Sequence, residues 1–458
     1  MRKKNLILVI LICSVIMVIP LYFLLTKPSQ TQHLSQPVDP NATEETKSLS
    51  SALRNSPGIL LGVEDENAYE DVKNVTGSYP AFMSLDACCI TGDWWITDEG
   101  GLQYKDMLMH EYAEDYTTLI KGIRRRGGVT SMVWHQANCV PETILPNGTA
   151  IYYEYNEGPH ELWRMIPSAS VSQVQAQFTN LTNVGANFAI YEEKLATLAN
   201  FFKNLLDDNG KSIPIIFRPF HENNGGWFWW GSAAIDDNEY TIDPTIYKTV
   251  LNIIWRYTID YFTQHGVHNL LYAISPNGVW GSSGADWAEL SEEEYLTACP
   301  DLDMVDILGF DIYFDLFGYG EEVEDSLALN LDEVRMVVNL AAKHNKAAAI
   351  TEIGLRSSFE AQYEHIMNDH GGILYNGIHI NNFHTLWSNE FFEPLLNDPV
   401  ARNISYFAFW TNKEWDTGAE HYAPWPGDPS KDDFINITAR IDPRRNVLLE
   451  DRLPNMYG

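Results

Sequence analysis

Short apolar runs alternate with longer amphipathic stretches along most of this chain. The short runs have the length and the β-branched or aromatic content of buried strands. In the stretches between several of them, apolar residues recur every three or four positions, as on the buried face of a helix. This alternation is typical of parallel α/β folds. The eight predicted strands are Ile59–Val63, Ala81–Asp86, Val129–Trp134, Ile213–Arg218, Asn269–Ser275, Val305–Asp311, Ala347–Thr351 and Tyr406–Trp410.

Three of the intervening helices are well defined, at residues 191–206, 247–262 and 332–344. The first stops near Gly210, and the third is predicted to open on Asp332 as its N-cap. Eight strands alternating with helices over roughly 350 residues predict an α/β fold of the (β/α)8 TIM-barrel type. A doubly wound open sheet is the alternative. It is disfavoured because no Gly-rich phosphate loop follows the first strand.

The N-terminal residues follow a different pattern. Three basic residues at positions 2–4 precede an uncharged run over residues 6–25, which is long enough to span a bilayer. The basic flank predicts that this end stays in the cytoplasm and that the rest is exported. Residues 1–27 are interpreted as an uncleaved signal anchor rather than a cleaved signal peptide, since no small-residue cleavage site is evident. A lipoprotein anchored at Cys13 is a weaker alternative.

The segment after this run has the composition of a tether. Residues 28–56 are rich in Ser, Thr, Gln, Pro and Asn and show no apolar periodicity, which predicts a flexible linker. Residues 57–458 are then expected to form one catalytic barrel domain, preceded by the anchor or signal segment and the linker.

Composition restricts the partners. The 458 residues include 62 acidic and 30 basic side chains, a formal charge of −32, which disfavours nucleic acid and anionic lipid as ligands. Apart from Cys13, four cysteines could form disulfides in any of three pairings or remain free thiols. No Cys/His set has zinc-site spacing, so neither a metal nor a cofactor is expected. The 14 Trp exceed what core packing normally needs.

Polar or indole-bearing residues stand at the carboxyl ends of most predicted strands. Barrel enzymes place their chemistry at these ends, and a charge beside a buried strand is costly unless it has a purpose. One such residue would usually be a structural ion pair, whereas seven of eight strand ends indicate a site. They are Asp86, Trp134-His135, Arg218 to Glu222, Ser275 to Asn277, Asp311 to Tyr313, Thr351-Glu352 and Trp410.

Two of these residues are glutamates on opposite sides of the predicted barrel. Glu222 follows the fourth strand and Glu352 ends the seventh, so their carboxylates can converge across the barrel mouth. Glycoside hydrolysis needs such a pair, one as proton donor and one as nucleophile or base. The loop at 223–231 reads Asn-Asn-Gly-Gly-Trp-Phe-Trp-Trp-Gly, and aromatic faces of this kind can stack on sugar rings. Alternatively, some of these aromatics cap the core.

These residues also carry a family resemblance. The chain resembles glycoside hydrolase family 26 from about Gly58 to Trp415, most specifically around Glu222. Most members of that family are β-mannanases with a (β/α)8 barrel and a retaining mechanism, and a minority cleave β-1,3-xylan or mixed-linkage β-glucan. The matching stretches are Phe217–Glu222 with Gly226–Gly231, Ala349–Gly354, Asp303–Tyr313, Gly127–His135 and Trp410.

The resemblance implies roles for the residues at the centre of the site. Glu222 would be the acid/base, protonated near neutral pH because a neighbouring carboxylate raises its pKa. Glu352 would be the nucleophile, oriented by donors from Arg218 and Tyr313, with His221 nearby. Retention further implies that the two carboxyl groups lie about 5–5.5 Å apart.

The resemblance also implies substrate contacts. Trp410 would lie under the sugar at the cleavage point, Trp227 would flank the leaving group, and His135 and Asp311 would hold hydroxyls. The loop at 136–163 matches no family pattern, and its aromatics either rebuild a subsite or pack.

The chain is therefore expected to be an exported, retaining, endo-acting β-1,4-mannanase that works without a cofactor. Its partner would be a neutral polysaccharide such as galactomannan or glucomannan. The chain would contact the membrane only through the N-terminal segment and would be a monomer. Two alternatives stay open. One keeps the mechanism and changes the substrate to β-1,3-xylan or mixed-linkage β-glucan. The other is a non-catalytic carbohydrate-binding surface protein.

Overall fold

The computed structural model describes residues 36–177, 181, 183–232, 243–278, 290–314, 323–355, 374–375, 378–379, 385, 387–415, 418–428 and 430–458. The stretch Pro37–Gly458 forms one unit. The predicted anchor over residues 1–27 lies outside the described residues. No helix in the described part of the chain combines the length and the low polarity that a bilayer span requires.

Eight parallel strands close into a barrel. Each strand pairs with its neighbour in chain order, and the last pairs with the first, Leu60 opposite Tyr406 and Val63 opposite Phe409. The predicted (β/α)8 fold is confirmed, and every predicted strand is present. The strands are β1 Gly58–Val63, β2 Phe82–Asp86, β3 Val129–Trp134, β4 Ile215–Pro219, β5 Leu270–Ile274, β6 Ile307–Phe314, β7 Ala347–Leu355 and β8 Tyr406–Phe409.

Helices cover the outside of the barrel. The longer ones are α1 Glu44–Arg54, α2 Glu66–Thr76, α3 Lys105–Arg126, α4 Phe188–Asn204, α5 Pro244–Gln264, α6 Glu292–Ala298, α7 Val323–His344 and α8 Lys431–Ala439. Shorter helical segments lie at Cys88–Thr91, Glu99–Leu102, Val171–Gln175, Trp387–Phe392 and Glu393–Asn397. Three pairs of short antiparallel strands are described as well: Pro141–Ile144 with Ala150–Tyr152, Leu374–Tyr375 with Ile378–His379, and Asn412–Trp415 with Gly418–His421.

One helix start differs from its prediction. Helix α7 begins at Val323, so Asp332 lies inside it and is not its N-cap. The Asp332 carboxylate forms an ion pair with Arg335 one turn later, a use of aspartate that the capping rule does not anticipate.

The prediction of a flexible linker over residues 28–56 is wrong for its second half. Helix α1 is capped by the Thr43 hydroxyl, and Leu49 and Leu53 are fully buried on it. Thr46 and Ser50 complete the same buried face. A helix face made half of hydroxyl residues gives little apolar periodicity, which is why the sequence resembled a tether.

Helix α1 closes the amino-terminal end of the barrel together with the C-terminal segment. Strand β9, Asn446–Leu448, pairs with the first half of β1, below the point where β2 begins. Tyr457 donates its hydroxyl to the Gly128 carbonyl at 2.6 Å and lies under the Arg124 guanidinium. The barrel interior above this plug is a continuous cluster of buried aliphatic and aromatic side chains. The carboxyl ends of the strands are therefore the end left for a site.

The cysteines of the barrel are not paired. Of the two outcomes considered for them, free thiols are present, because Cys88, Cys89, Cys139 and Cys299 are all buried without a disulfide.

Candidate active site

Arg218 is the centre of the polar cluster inside the barrel mouth. It lies on β4, where its side chain is 1% exposed. One terminal nitrogen, Nη1, donates to Asp311 Oδ2 at 2.9 Å, and the other, Nη2, donates to Glu352 Oε1 at 2.5 Å. Nη2 also donates to Glu64 Oε2 at 2.9 Å. One guanidinium thus faces three carboxyl groups from strands β6 and β7 and from the end of β1.

Asp311 holds Arg218 from the β6 side. Its carboxylate is fully buried and accepts from Arg218 and Ser275 at one oxygen and from Thr351 at the other, the last at 2.6 Å. The expectation that Asp311 binds a sugar hydroxyl does not fit this geometry, because the carboxylate has no exposed surface and both oxygens are already bonded. Asp311 instead contributes to the site indirectly, by holding the Arg218 guanidinium.

The protonation of this cluster follows from burial and charge. Burial would lower the pKa of Arg218, but Asp311, Glu352 and Glu64 together raise it well above its usual value, so the guanidinium stays charged. Burial raises the pKa of Asp311 to about 8 although Arg218 opposes this, and burial with the Glu352 charge raises that of Glu64. Since one cation cannot neutralise three anions, the cluster retains protons near neutral pH.

The turn after β4 directs Glu222 into the mouth. Phe220 and Glu222 have φ angles of 55° and 49°, in the left-handed region that non-glycine residues rarely adopt. The Glu222 amide donates to the Ser275 carbonyl at 2.6 Å, which ties the turn to the end of β5. Strained backbone of this kind persists only where its surroundings fix it, and it is frequent at active sites.

Glu222 and Glu352 lie close together. One carboxylate oxygen each of Glu222, Asp311 and Glu352 lies within 4.8 Å of the other two. Burial raises the pKa of Glu222 well above its usual value, and the charges of Glu352 and Asp311 raise it further. Three oxygens at this spacing could also ligate a hard cation, but Arg218 already supplies positive charge to Asp311 and Glu352.

The aromatic loop after Glu222 divides into two parts. Trp227 is half-buried, and its indole Nε1 donates to Glu222 Oε2 at 2.5 Å. Phe228, Trp229 and Trp230 are buried instead, and Trp230 stacks on Phe228 with ring centroids 4.5 Å apart. Three of the four aromatics therefore pack the mouth, and only Trp227 of the four contacts the acid.

His135 and His221 form a second polar group beside the glutamates. His135 Nδ1 bonds Asp86 Oδ2 at 2.7 Å, which fixes the ring. Burial would raise the pKa of Asp86, but the His135 contacts and backbone amides lower it. The His221 ring meets the His135 ring edge-on at 4.4 Å. Burial and the charges nearby lower the pKa of His221 well below its usual value, so this imidazole is neutral.

One residue of the site, Glu64, was missed from the sequence, and another, Tyr155, was left between a subsite and a packing role. Glu64 directly follows β1, so the strand-end rule applied to the first strand would have found it. Tyr155 lies in the loop over 136–163, where its ring meets those of His135 at 5.0 Å and Phe228 at 5.8 Å. Trp94, 39% exposed, meets Tyr155 edge-on. These contacts place Tyr155 beside the site, one of the two outcomes that the sequence left open for the aromatics of this loop.

The eighth strand brings in Trp410. Its amide donates to the Ile353 carbonyl at 2.9 Å, and its half-buried ring meets Tyr422 edge-on at 4.9 Å. Tyr313 lies on β6, but its side chain is outside the described residues. The structure thus brings Arg218, His221, Glu222, Trp227 and Glu352 into one cluster, with His135 and Trp410 at its sides.

Three similarities to known proteins agree with this geometry. A mannan endo-1,4-beta-mannosidase of Bifidobacterium adolescentis is 27% identical over 431 residues, 90% of this chain, and the chain spans 35% of that protein's length. The structure of GH26C from Muricauda sp. MAR_2010_75 has a TM-score of 0.65 at 26% identity, covering 93% of this chain and 96% of that one. A modular endo-beta-1,4-mannanase from Cellulomonas fimi has a TM-score of 0.64 at 28% identity, covering 92% and 79%.

The family assignment rests on a match over most of the chain. The sequence pattern of Glycosyl hydrolase family 26 matches residues 38–390, which include β1 to β7, Arg218 and both glutamates. The match also begins before α1, in agreement with the packing of that helix against the barrel. The chain therefore belongs to glycosyl hydrolase family 26.

Proposed function

We propose that this protein is a retaining, endo-acting β-1,4-mannanase in which Glu222 is the acid/base and Glu352 the nucleophile. The observation that carries the proposal is that one carboxylate oxygen of Glu222 and one of Glu352 lie within 4.8 Å of each other. Inverting enzymes need roughly 6.5–9.5 Å between the carboxyl groups to admit a water, whereas retaining enzymes need only about 5–5.5 Å.

In the first step, Glu352 attacks the anomeric carbon of the bound sugar. The bond to the glycosidic oxygen breaks, its electron pair stays on that oxygen, and the oxygen takes the proton of Glu222. The raised pKa of Glu222 favours the protonated form that this step needs. Arg218 keeps the attacking carboxylate in place through its 2.5 Å hydrogen bond.

In the second step, water attacks the anomeric carbon of the glycosyl ester. Glu222, now a carboxylate, accepts a proton from that water, and the bond to Glu352 breaks with its electron pair returning to the carboxylate. Both groups are then back in their starting states. The anomeric configuration is inverted twice, so the product keeps the β configuration.

Substrate contacts are assigned to the side chains around the pair. Trp227 donates to Glu222 and borders the side on which the leaving group departs, while Trp410 provides a ring for the sugar at the cleavage point. His135 is held by Asp86 with its other ring nitrogen free of that bond and is placed to bind a hydroxyl. Mannan is the preferred substrate because curated relatives are named mannan endo-1,4-beta-mannosidases.

A substrate panel tests the activity. Purified protein lacking residues 1–27 is incubated with galactomannan, glucomannan, β-1,3-xylan and lichenan, and reducing ends are measured. We expect release from both mannans, a rapid fall in viscosity as for internal cleavage, and a β-anomer as the first product by NMR. Release only from β-1,3-xylan or lichenan would reassign the substrate. An initial α-anomer would contradict retention.

The location and state of the protein are part of the same proposal. The basic residues before the uncharged run at 6–25 support export and retention of the N-terminal segment in the membrane. We propose a monomer that meets the membrane only through this segment. Release of full-length protein from cells without detergent would contradict the anchor, and light scattering of the soluble part tests the monomer.

A further inference from the structure

Glu64 is a buried acid at the barrel mouth without a role in the mechanism above. It follows β1 directly and is 8% exposed. Its backbone amide donates to the carbonyls of Phe409 at 2.8 Å and Trp410 at 3.0 Å, so the end of β8 fixes where its side chain starts. A buried acid held this firmly needs an explanation, because an ionised carboxylate is expensive to bury.

The explanation lies in how Arg218 is held. Its Nη1 donates to Ser275 and Asp311, both at 2.9 Å. Its Nη2 has a second partner besides the nucleophile, namely Glu64 Oε2 at 2.9 Å. Ser275 and Asp311 hold only the Nη1 side of the guanidinium, and Glu64 is the acceptor other than the nucleophile that holds the Nη2 side.

We propose that Glu64 is a positioning residue of the hydrolysis, which acts as a hydrogen-bond acceptor that holds Arg218 Nη2 against the nucleophile Glu352. The inference rests on the proposed function, since it assigns Glu64 a part in that reaction. It predicts that the acceptor oxygen and its reach matter and that the charge does not.

The charges around Glu64 support a neutral acceptor. The charged groups that face it are Arg218 from β4, Glu352 from β7, Asp86 from β2 and Asp311 from β6. Three of the four are acidic, and burial together with their charge raises the pKa of Glu64 well above its usual value. A protonated carboxyl still accepts through its carbonyl oxygen, so an amide of the same length should replace it.

Three variants separate the reach of the acceptor from its ability to ionise. Glu64→Gln keeps the acceptor and its reach but cannot ionise. Glu64→Asp keeps the carboxyl group but is one methylene shorter, which withdraws the oxygen. Glu64→Leu keeps the approximate size and removes the acceptor. For each, kcat and KM are measured on the glycan that the wild type cleaves fastest, with thermal melting as the control for folding.

We expect Glu64→Gln to keep kcat within about threefold of wild type. Glu64→Asp and Glu64→Leu should lose about 10–100-fold in kcat with KM nearly unchanged, because a displacement of about 1 Å at a reacting group can cost that much. A tenfold loss in Glu64→Gln, or wild-type kcat in a folded Glu64→Asp or Glu64→Leu, would overturn the proposal. An equal change in KM and kcat with a lowered Tm would indicate a structural role only.

Failure of the proposed function gives a different result. If the wild type cleaves β-1,3-xylan and no mannan, the substrate assignment fails, and the three Glu64 variants still test the positioning role with β-1,3-xylan as substrate. If the wild type cleaves none of the four glycans, both proposals fail. If the wild type is active and all three variants keep its kcat, only the Glu64 proposal fails.

Discussion

The two ends of the barrel are built on opposite principles. At the amino-terminal end, α1 and the segment around Tyr457 cover a cluster of leucine, alanine and aromatic side chains. At the carboxyl end, one guanidinium is surrounded by three carboxyl groups, two of them with raised pKa values. Both ends are buried, but only the first gains its stability from apolar contact.

The difference shows where the molecule is arranged for stability and where for reaction. Replacing a buried ion cluster by apolar groups is often neutral or stabilising, and strained or charged active sites commonly reduce stability. We therefore expect changes at the carboxyl end to alter rate with little loss of stability. Changes at the amino-terminal end should do the reverse.

The largest effect on rate is expected for Glu352→Ala. Without a nucleophile the glycosyl ester cannot form, and kcat should fall on the order of 10⁴-fold or more. Because one of three acids around Arg218 is removed, Tm should not fall. Initial rates on galactomannan and thermal melting test both parts. Glu154→Ala, an exposed glutamate in the loop near Tyr155, is the matched control and should leave both unchanged.

The next effect is expected for Glu222→Ala. Loss of the general acid should lower kcat/KM on polysaccharide by about 10²–10⁴-fold, and kcat/KM should fall much less on an aryl glycoside, whose leaving group needs no proton. In the wild type, activity should decline as pH rises through the raised pKa of Glu222, since the acid must be protonated. That alkaline decline should vanish in the variant on the aryl substrate. Equal losses on both substrates would contradict the assignment.

A smaller effect is expected for Trp227→Phe. The ring remains, but the hydrogen bond to Glu222, which lowers the pKa of that acid, is lost. The alkaline limb of the pH profile should move to higher pH, and kcat should fall about tenfold. Trp229→Phe is the matched control, because its indole donates to the Gln136 carbonyl instead. A shift of the limb in both variants would mean that Trp227 does not act on Glu222 directly.

The smallest effect on rate is expected for Leu53→Ala at the other end. Leu53 is 1% exposed under the barrel, so the truncation should reduce the free energy of unfolding by about 2–5 kcal/mol. At a temperature where the variant is folded, kcat should equal that of wild type. Glu44→Ala on the exposed side of α1 is the control; it should leave kcat unchanged and cost less than about 1 kcal/mol of stability, since it removes only an exposed ion pair with Lys47. A changed kcat in folded Leu53→Ala would contradict the view that the amino-terminal end determines stability and the carboxyl end determines rate.

Much of the fold could be predicted because the buried strands of a barrel appear in the sequence as short apolar runs. Each of the eight strands is a short apolar run, and the predicted bounds of β3 are those observed. Strands β6 and β7 extend further than predicted, to Phe314 and Leu355, because their pairing continues past an irregularity next to Phe310. The prediction placed the strand ends at the polar residues Asp311 and Thr351, whereas the paired residues Ile312 and Ile353 lie beyond them.

The rest of the site depended on contacts that no local pattern records. Arg218 and the two glutamates stood in recognisable motifs, but the sharing of Arg218 by Glu64 joins residues 154 apart in sequence. Trp227, which meets the acid, and Trp229, which packs, lie in a tight turn where a side chain at Gly225 would strike the Trp227 ring and one at Gly231 the Gly225 carbonyl. Helix α1 was missed because hydroxyl groups form half of its buried face.

The contacts of α1 also bear on the order in which the chain folds. The Leu53 carbonyl accepts from the Ser405 hydroxyl, 352 residues later, and the Thr43 amide donates to the carbonyl of His268. An 11-residue helix is marginal alone in water, so α1 gains its partners only after the late strands have been synthesised. During translation this segment should therefore remain a target for chaperones and proteases until the barrel closes.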